Sequence, residues 1–258
     1  MKIKFAFPIC TILVLTICSL SSYSQEEEKD MNGYLLWEDH VNPADFDTYE
    51  KAVKMQMELM KEANAPFPIN TYQTSDYIFY YVTPIKNFAG IDKLFDSFSE
   101  LYKANEEAMN SIDEAYEGTY AYTLPRIFFW NEDLSYKPEE PMEGLKDAKF
   151  FYMGHCYVKQ GKGKEMGEVF KKFAELYKEN NIPRGFSTYY GSFGFETPFM
   201  FWTTYDKNAA DFWMNGKKIN EKLGDNADNL WMEAEKFMRK FEYKTGWYRD
   251  DLSYQPDE

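Results

Sequence analysis

The run Asp133-Leu134-Ser135-Tyr136-Lys137-Pro138 returns at the end of the chain as Asp251-Leu252-Ser253-Tyr254-Gln255-Pro256. Co-linear echoes precede it. Glu58-Leu59-Met60-Lys61-Glu62 returns as Glu175-Leu176-Tyr177-Lys178-Glu179, Thr71-Tyr72 as Thr188-Tyr189, and Lys86-Asn87 as Lys207-Asn208. The spacing shifts only twice, at an insertion near Gly191 to Glu196 and a loss near Gly246. A repeat of this kind constrains the fold more than composition does. Both halves must build the same elements, and neighbouring copies bury the apolar face that one copy leaves open.

Each half reads as strand, helix, two strands, helix, strand. Gly33 to Val41 is an apolar strand. Asn42-Pro43 predicts a capped helix start, and Asp45 complements the positive helix end. Phe46, Tyr49, Val53, Met57 and Met60 recur at three- and four-residue steps, the stripe of an amphipathic helix. Ile69 to Thr74 and Tyr77 to Thr83 form a hairpin around Ser75-Asp76. A second helical stripe runs from Ile91 to Tyr116, and Ile127 to Trp130 is the last strand. The second half repeats the order with strands at Phe150 to Val158, Phe186 to Tyr190, Phe199 to Tyr205 and Trp247-Tyr248. Its helices carry Met166, Phe170, Phe173 and Tyr177, then Phe212, Ile219, Leu223, Leu230, Phe237 and Phe241. Residues 137–148, rich in Pro, Glu and Gly, link repeats over 31–140 and 148–258.

The strand Tyr77-Ile78-Phe79-Tyr80-Tyr81-Val82 is apolar on both faces, and so is Phe199-Met200-Phe201-Trp202. A sheet with one wet face alternates apolar and polar residues, so both faces here must be buried. Helices of the same half cover one face, and the other half's sheet is the simplest cover for the second. In element order, repetition and two-faced burial the chain resembles the dimeric α/β-barrel superfamily of ferredoxin-like domains. That group includes antibiotic-biosynthesis-monooxygenase-type and NIPSNAP-type proteins. The resemblance implies an α+β fold: two tandem ferredoxin-like βαββαβ units packed sheet to sheet as a pseudo-dimeric α/β barrel around a cavity.

The first residues have the layout of a secretory signal. Lys2 and Lys4 precede an apolar run, Phe5 to Ile17, that is shorter than the ~20 residues a bilayer span needs. Ser22-Tyr23-Ser24 offers small residues for cleavage after Ser24, leaving Gln25 first and 1–24 as signal peptide. Leu15-Thr16-Ile17-Cys18 is similar to a lipobox but has Ile17 where a small residue belongs, so periplasmic or secreted protein is expected over a lipoprotein. Cleavage removes two of the three cysteines, so Cys156 alone cannot form an internal disulfide. The formal charge of −14 repels nucleic acid and anionic membranes. After residue 24 no apolar run is long enough to cross a membrane.

No short motif names a chemistry. Only His40 and His155 are histidines, and with Cys156 they lack the spacing of a metal site. Gly161-Lys162-Gly163-Lys164-Glu165-Met166-Gly167 misses the dinucleotide fingerprint and reads as a tight turn. Gly191-Ser192-Phe193-Gly194 is not a nucleophile elbow. The Asp-Leu-Ser-Tyr echoes either cap a cavity mouth or pack the chain ends. With Val41 set against Val158, Glu38 falls on His155, and both lie mid-strand on equivalent faces. If that face is the inter-sheet one, a carboxylate and an imidazole line one cavity and could do acid–base work; otherwise they reach solvent near the strand ends or satisfy each other structurally.

Aromatic residues make up 19% of the chain, which suits either a core built from Phe and Tyr or an aromatic-lined cavity. The expected function is binding of a small apolar or aromatic ligand, with no cofactor. The alternative, implied by the resemblance, is a cofactor-independent monooxygenase or isomerase with Glu38 or His155 as base. Chlorite-dismutase-like and dye-decolourising peroxidases are also doubled ferredoxin-like barrels. Their haem needs an axial histidine on a helix of the second half, where this sequence has none.

Overall fold

In the computed structural model, which describes residues 32–256, eight strands join one closed sheet. The strands are β1 (Gly33–Val41), β2 (Asn70–Thr74), β3 (Ile78–Ile85), β4 (Tyr120–Tyr136), β5 (Phe150–Val158), β6 (Phe186–Gly191), β7 (Phe199–Asp206) and β8 (Met238–Tyr248). The helices are α1 (Phe46–Glu62), α2 (Ala89–Ala104), α3 (Glu106–Tyr116), α4 (Gly163–Glu179), α5 (Ala209–Leu223) and α6 (Asp225–Glu235). The leader, its cleavage after Ser24 and Cys18 lie outside the described residues.

The expectation of two ferredoxin-like sheets stacked face to face is overturned. The strands run β1-β3-β2-β8-β5-β7-β6-β4 around one antiparallel barrel, with the helices outside it. The correction has a physical cause in β4 and β8, which reach past their own halves. β4 pairs with β6 from Phe128 onward, and β8 pairs with β2 through Tyr248, Trp247 and Gly246. Two open sheets would leave four unpaired edges, and closure removes them all.

The repeated Asp-Leu-Ser-Tyr segments hold these two seams together. Thr71 donates its N–H to Ser253 Oγ at 2.9 Å and its hydroxyl to the Leu252 carbonyl at 2.6 Å. Thr188 makes the equivalent bonds to Ser135 Oγ at 2.9 Å and the Leu134 carbonyl at 2.7 Å. Tyr254 and Tyr136 then donate to the carbonyls of Ala65 and Ile182, both at 2.9 Å. Each half's terminal segment therefore fastens a strand of the other half. The two segments pack the seams, and each also lines a surface cavity outside the barrel, Asp251 to Gln255 one and Asp133 to Pro138 the other.

Two-faced burial is satisfied by lumen and helices. On β3, Phe79, Tyr81 and Ile85 pack outward with Tyr49, Val53 and Met60 of α1, while Ile78 and Tyr80 face inward. On β7, Phe199 and Phe201 fill the lumen, and Met200 packs outward with Val169 and Phe170 of α4. Cys156 faces outward into the same core, fully buried, and burial pushes its thiol up to about 12. Two local expectations fail. Asn42 makes no helix-capping bond and donates to the Gly118 carbonyl instead. Phe241 belongs to β8, and Phe237 lies just before it, past the end of α6.

Candidate functional site

Two cavities flank the second half of the sheet, one inside the barrel and one outside. The inner cavity, about 290 Å3, is where Glu38 and His155 lie. β1 and β5 are four places apart in a ring of eight, so the two side chains enter the lumen from opposite walls. They do not pair. Glu38 Oε1 is 2.8 Å from His40 Nε2, and Glu38 Oε2 is 2.8 Å from Arg126 Nε, an ionic contact in which the N–H is not aligned for a hydrogen bond. Arg126 donates to the Gly194 carbonyl at 2.7 Å and lies over the Phe195 ring at 4.9 Å. Phe195 belongs to the inserted β6–β7 loop and stacks on Phe199 at 4.9 Å. The β6–β7 loop is thus anchored on the ion pair.

His155 sits across from this cluster with its Nε2 2.9 Å from the Met153 sulfur and its ring against the edges of Phe199 and Phe201. Burial, helped by the Lys244 charge, pushes the imidazole down to about 4. The ring is neutral at pH 7. An unfolded histidine titrates near ~6.5, so between these values the unfolded chain holds the extra proton. Stability therefore falls as pH drops from about 6.5 towards about 4 and is unaffected by this group above that window. Urea unfolding at pH 7 and pH 5 should show a decline about 2 kcal/mol smaller in His155→Phe than in the parent protein. An equal decline in both would remove His155 as the cause.

The outer cavity is the larger, about 600 Å3, between the outer face of β5 and β7 and helices α4, α5 and α6. Its walls are aromatic: Trp202 from the sheet, Phe170 and Phe173 from α4, Phe212 from α5 and Trp231 from α6. The equivalent face of the first half is filled. There Trp37, at the place on β1 that Gly154 holds on β5, packs edge-on to Phe95 at 6.1 Å. Gly154 leaves that volume to the Trp202 indole, whose Nε1 would lie 2.5 Å from an added Cβ. Gly185 and Gly216 line the same space.

One buried charge enters this aromatic shell, while Lys217 and Glu221, 3.9 Å apart and exposed, line its solvent side. Arg184 is 7% exposed, and its guanidinium lies over the Phe212 ring at 4.6 Å. It donates to the Phe212 carbonyl at 3.1 Å and stands 3.6 Å from Asp206 Oδ2. Asp206 is engaged elsewhere, accepting from Asn215 Nδ2 at 3.0 Å and from the Lys207 N–H at 2.9 Å. A guanidinium has five donors, and most of these remain for a ligand. Burial pulls Arg184 below its ordinary value, with Tyr177 and Asp206 opposing that shift.

Sequence reasoning found Glu38 and His155 but missed the partners of Glu38 and the whole outer cavity. His40 was within reach, since it lies two residues from Glu38 on the same strand face. Arg184 follows Pro183 in a turn and carries no periodic signal. A metal-holding group of three or more His, Cys, Asp or Glu side chains does not occur among the described residues. No histidine lines the outer cavity, so it offers no axial imidazole to a haem.

No family model matches the sequence, and no curated protein is similar to it. Solved structures share its fold. An anthrone oxidase-like protein aligns at TM-score 0.62 and 8% identity over 90% of this chain and 96% of its own. A putative monooxygenase from Lactobacillus acidophilus NCFM aligns at 0.54 and 9% identity over 87% and 96%. A putative monooxygenase from Fusobacterium nucleatum subsp. nucleatum ATCC 25586 aligns at 0.51 and 10% over 84% and 91%. The shared feature is the dimeric α+β-barrel fold, the level at which the resemblance read from the sequence holds.

Proposed function

We propose that the chain binds a planar aromatic molecule bearing an acidic group in the outer cavity. One observation carries this reading: a buried guanidinium with spare donors in a shell of Trp and Phe. Aromatic faces supply burial and stacking, and the cation supplies orientation. The volume of about 600 Å3 suits a ligand of two or three fused rings.

The probes are 2-naphthoate and its neutral analogue 2-naphthalenemethanol, followed by quenching of tryptophan fluorescence. The parent protein should prefer the acid by at least about tenfold, the scale of one charge-assisted hydrogen bond. Arg184→Met/Asp206→Asn, which removes both buried charges together, should lose that preference and keep the alcohol. Equal affinities in the parent protein, or an unchanged preference in the double variant, would defeat the reading.

A second reading is cofactor-independent oxygenation of an aromatic held in the inner cavity, with Glu38 or His155 as base. The names of the neighbours, two putative monooxygenases and an anthrone oxidase-like protein, favour it. Oxygen uptake on adding anthrone, lost in His155→Phe, supports this reading. Absence of uptake leaves binding alone.

We also propose export, on the basic and apolar leader with its small residues at Ser22 and Ser24. N-terminal sequencing of protein recovered from its native host should begin at Gln25. A lipid-modified Cys18 would give the opposite answer.

A further inference from the structure

The barrel lumen is built differently from the outer cavity. Its charges are paired among themselves: Glu38 is held by Arg126 and His40, and Lys244 by Asp76. A second buried anion would meet Glu38, and a cation would meet Arg126 and Lys244, so the space disfavours charged guests. Two neutral polar groups in its wall have capacity to spare, one of them, Thr203 Oγ1, buried. The second ring nitrogen of His155 makes no hydrogen bond within the protein. Thr203 Oγ1 is buried without a hydrogen bond of normal geometry, although the hydroxyls of Tyr189 and Tyr205 lie beside it. A buried polar atom left unpaired is costly, and a ligand able to satisfy it gains affinity by doing so.

The spacing of these groups sets the ligand's length. Thr203 stands opposite Met153, two residues along the wall from His155, a separation of about 7 Å at strand rise. Beside them the wall is apolar, with Phe201 and Met153, and Tyr189 stacked on Phe201 at 4.7 Å; Leu36 and Phe128 face them across the lumen. A volume of about 290 Å3 is at the small end for ligand cavities and suits one aromatic ring.

We propose that the lumen is a second, separate binding site for a small neutral phenol with a hydrogen-bonding group para to its hydroxyl. His155 accepts from the phenol, and Thr203 donates to the far substituent. The site does not depend on the outer cavity being occupied.

The probes are 4-hydroxybenzyl alcohol, p-cresol without the far hydroxyl, and benzyl alcohol without the phenol, each titrated by calorimetry at pH 7. His155→Phe should weaken 4-hydroxybenzyl alcohol and p-cresol about tenfold and leave benzyl alcohol unchanged. Thr203→Val, which keeps the side-chain shape, should weaken 4-hydroxybenzyl alcohol several-fold and leave p-cresol unchanged. It tests the site even if His155→Phe does not fold. Excess 2-naphthoate should not displace p-cresol. Displacement by 2-naphthoate, no binding of either phenol at millimolar concentration, or variants that bind all three probes as the parent does would each overturn the proposal.

Discussion

Arg184→Met should destabilise the protein by about 3–5 kcal/mol in urea unfolding, because it strands a buried carboxylate. The side chains of Arg184 and Asp206 are 8% and 3% exposed, and at 3.6 Å the guanidinium is the nearest positive charge the structure gives Asp206. Hydrogen bonds from Asn215 and the Lys207 N–H hold the carboxylate in place but do not neutralise it. Methionine keeps much of the volume against Phe212, so the loss reads charge more than packing. Adding Asp206→Asn should recover most of it, since a buried pair is costly to break and cheap to replace as a whole. A single variant within about 1 kcal/mol of the parent, or a double variant worse than the single, would show that the pair is not coupled.

Gly246→Ala should open the weaker seam of the barrel and cost about 3 kcal/mol, the upper end for overpacking. Gly246 is buried on β8, set against Thr74 of β2 and Phe151 of β5. An added Cβ would lie 2.0 Å from the Gln73 carbonyl oxygen and 2.8 Å from Thr74 Cα. Both are backbone atoms, so no side-chain rotation relieves the clash. The β2–β8 seam has three facing pairs, Tyr72 with Tyr248, Gln73 with Trp247 and Thr74 with Gly246. Displacing one of them exposes strand edges that the lumen residues Tyr72 and Phe151 need closed. Hydrogen exchange should accelerate at β2 and β8 and stay slow at β1 and β5. Uniform exchange, or unchanged stability, would mean that the seam yields without cost.

Legibility in the sequence followed the strength of each local pattern. Residues 33–41 and 150–158 were readable as strands to the residue, because both are apolar runs closed by turn chemistry. β8 was read too short and partly as helix. Lys240, Glu242 and Lys244 stand at every second position on its inward side, so the expected apolar alternation is missing, and Leu230, Phe237 and Phe241 mimic a helical stripe. β4 was read as beginning at Ile127, after Pro125. That proline is tolerated because β4 pairs there only with β1, and β6 joins from Phe128 onward. The lost segment cost the reading Arg126, and with it the anchor of Glu38.

The apolar periodicity and the two-faced strands carried most of the secondary-structure order, the shared strand face of Glu38 and His155 and the burial of Cys156, since period within a strand is a local property. Closure was not local. Thr71 meets Ser253, and Thr188 meets Ser135, across stretches of chain that no periodicity links, and those contacts turn two sheets into one barrel. The outer cavity arises the same way. It needs Gly154 where the other half has Trp37, and Arg184 carried from a turn into contact with Phe212 of a helix far along the chain. An unfilled volume is a property of what several elements fail to occupy together, so only the tertiary structure decides it.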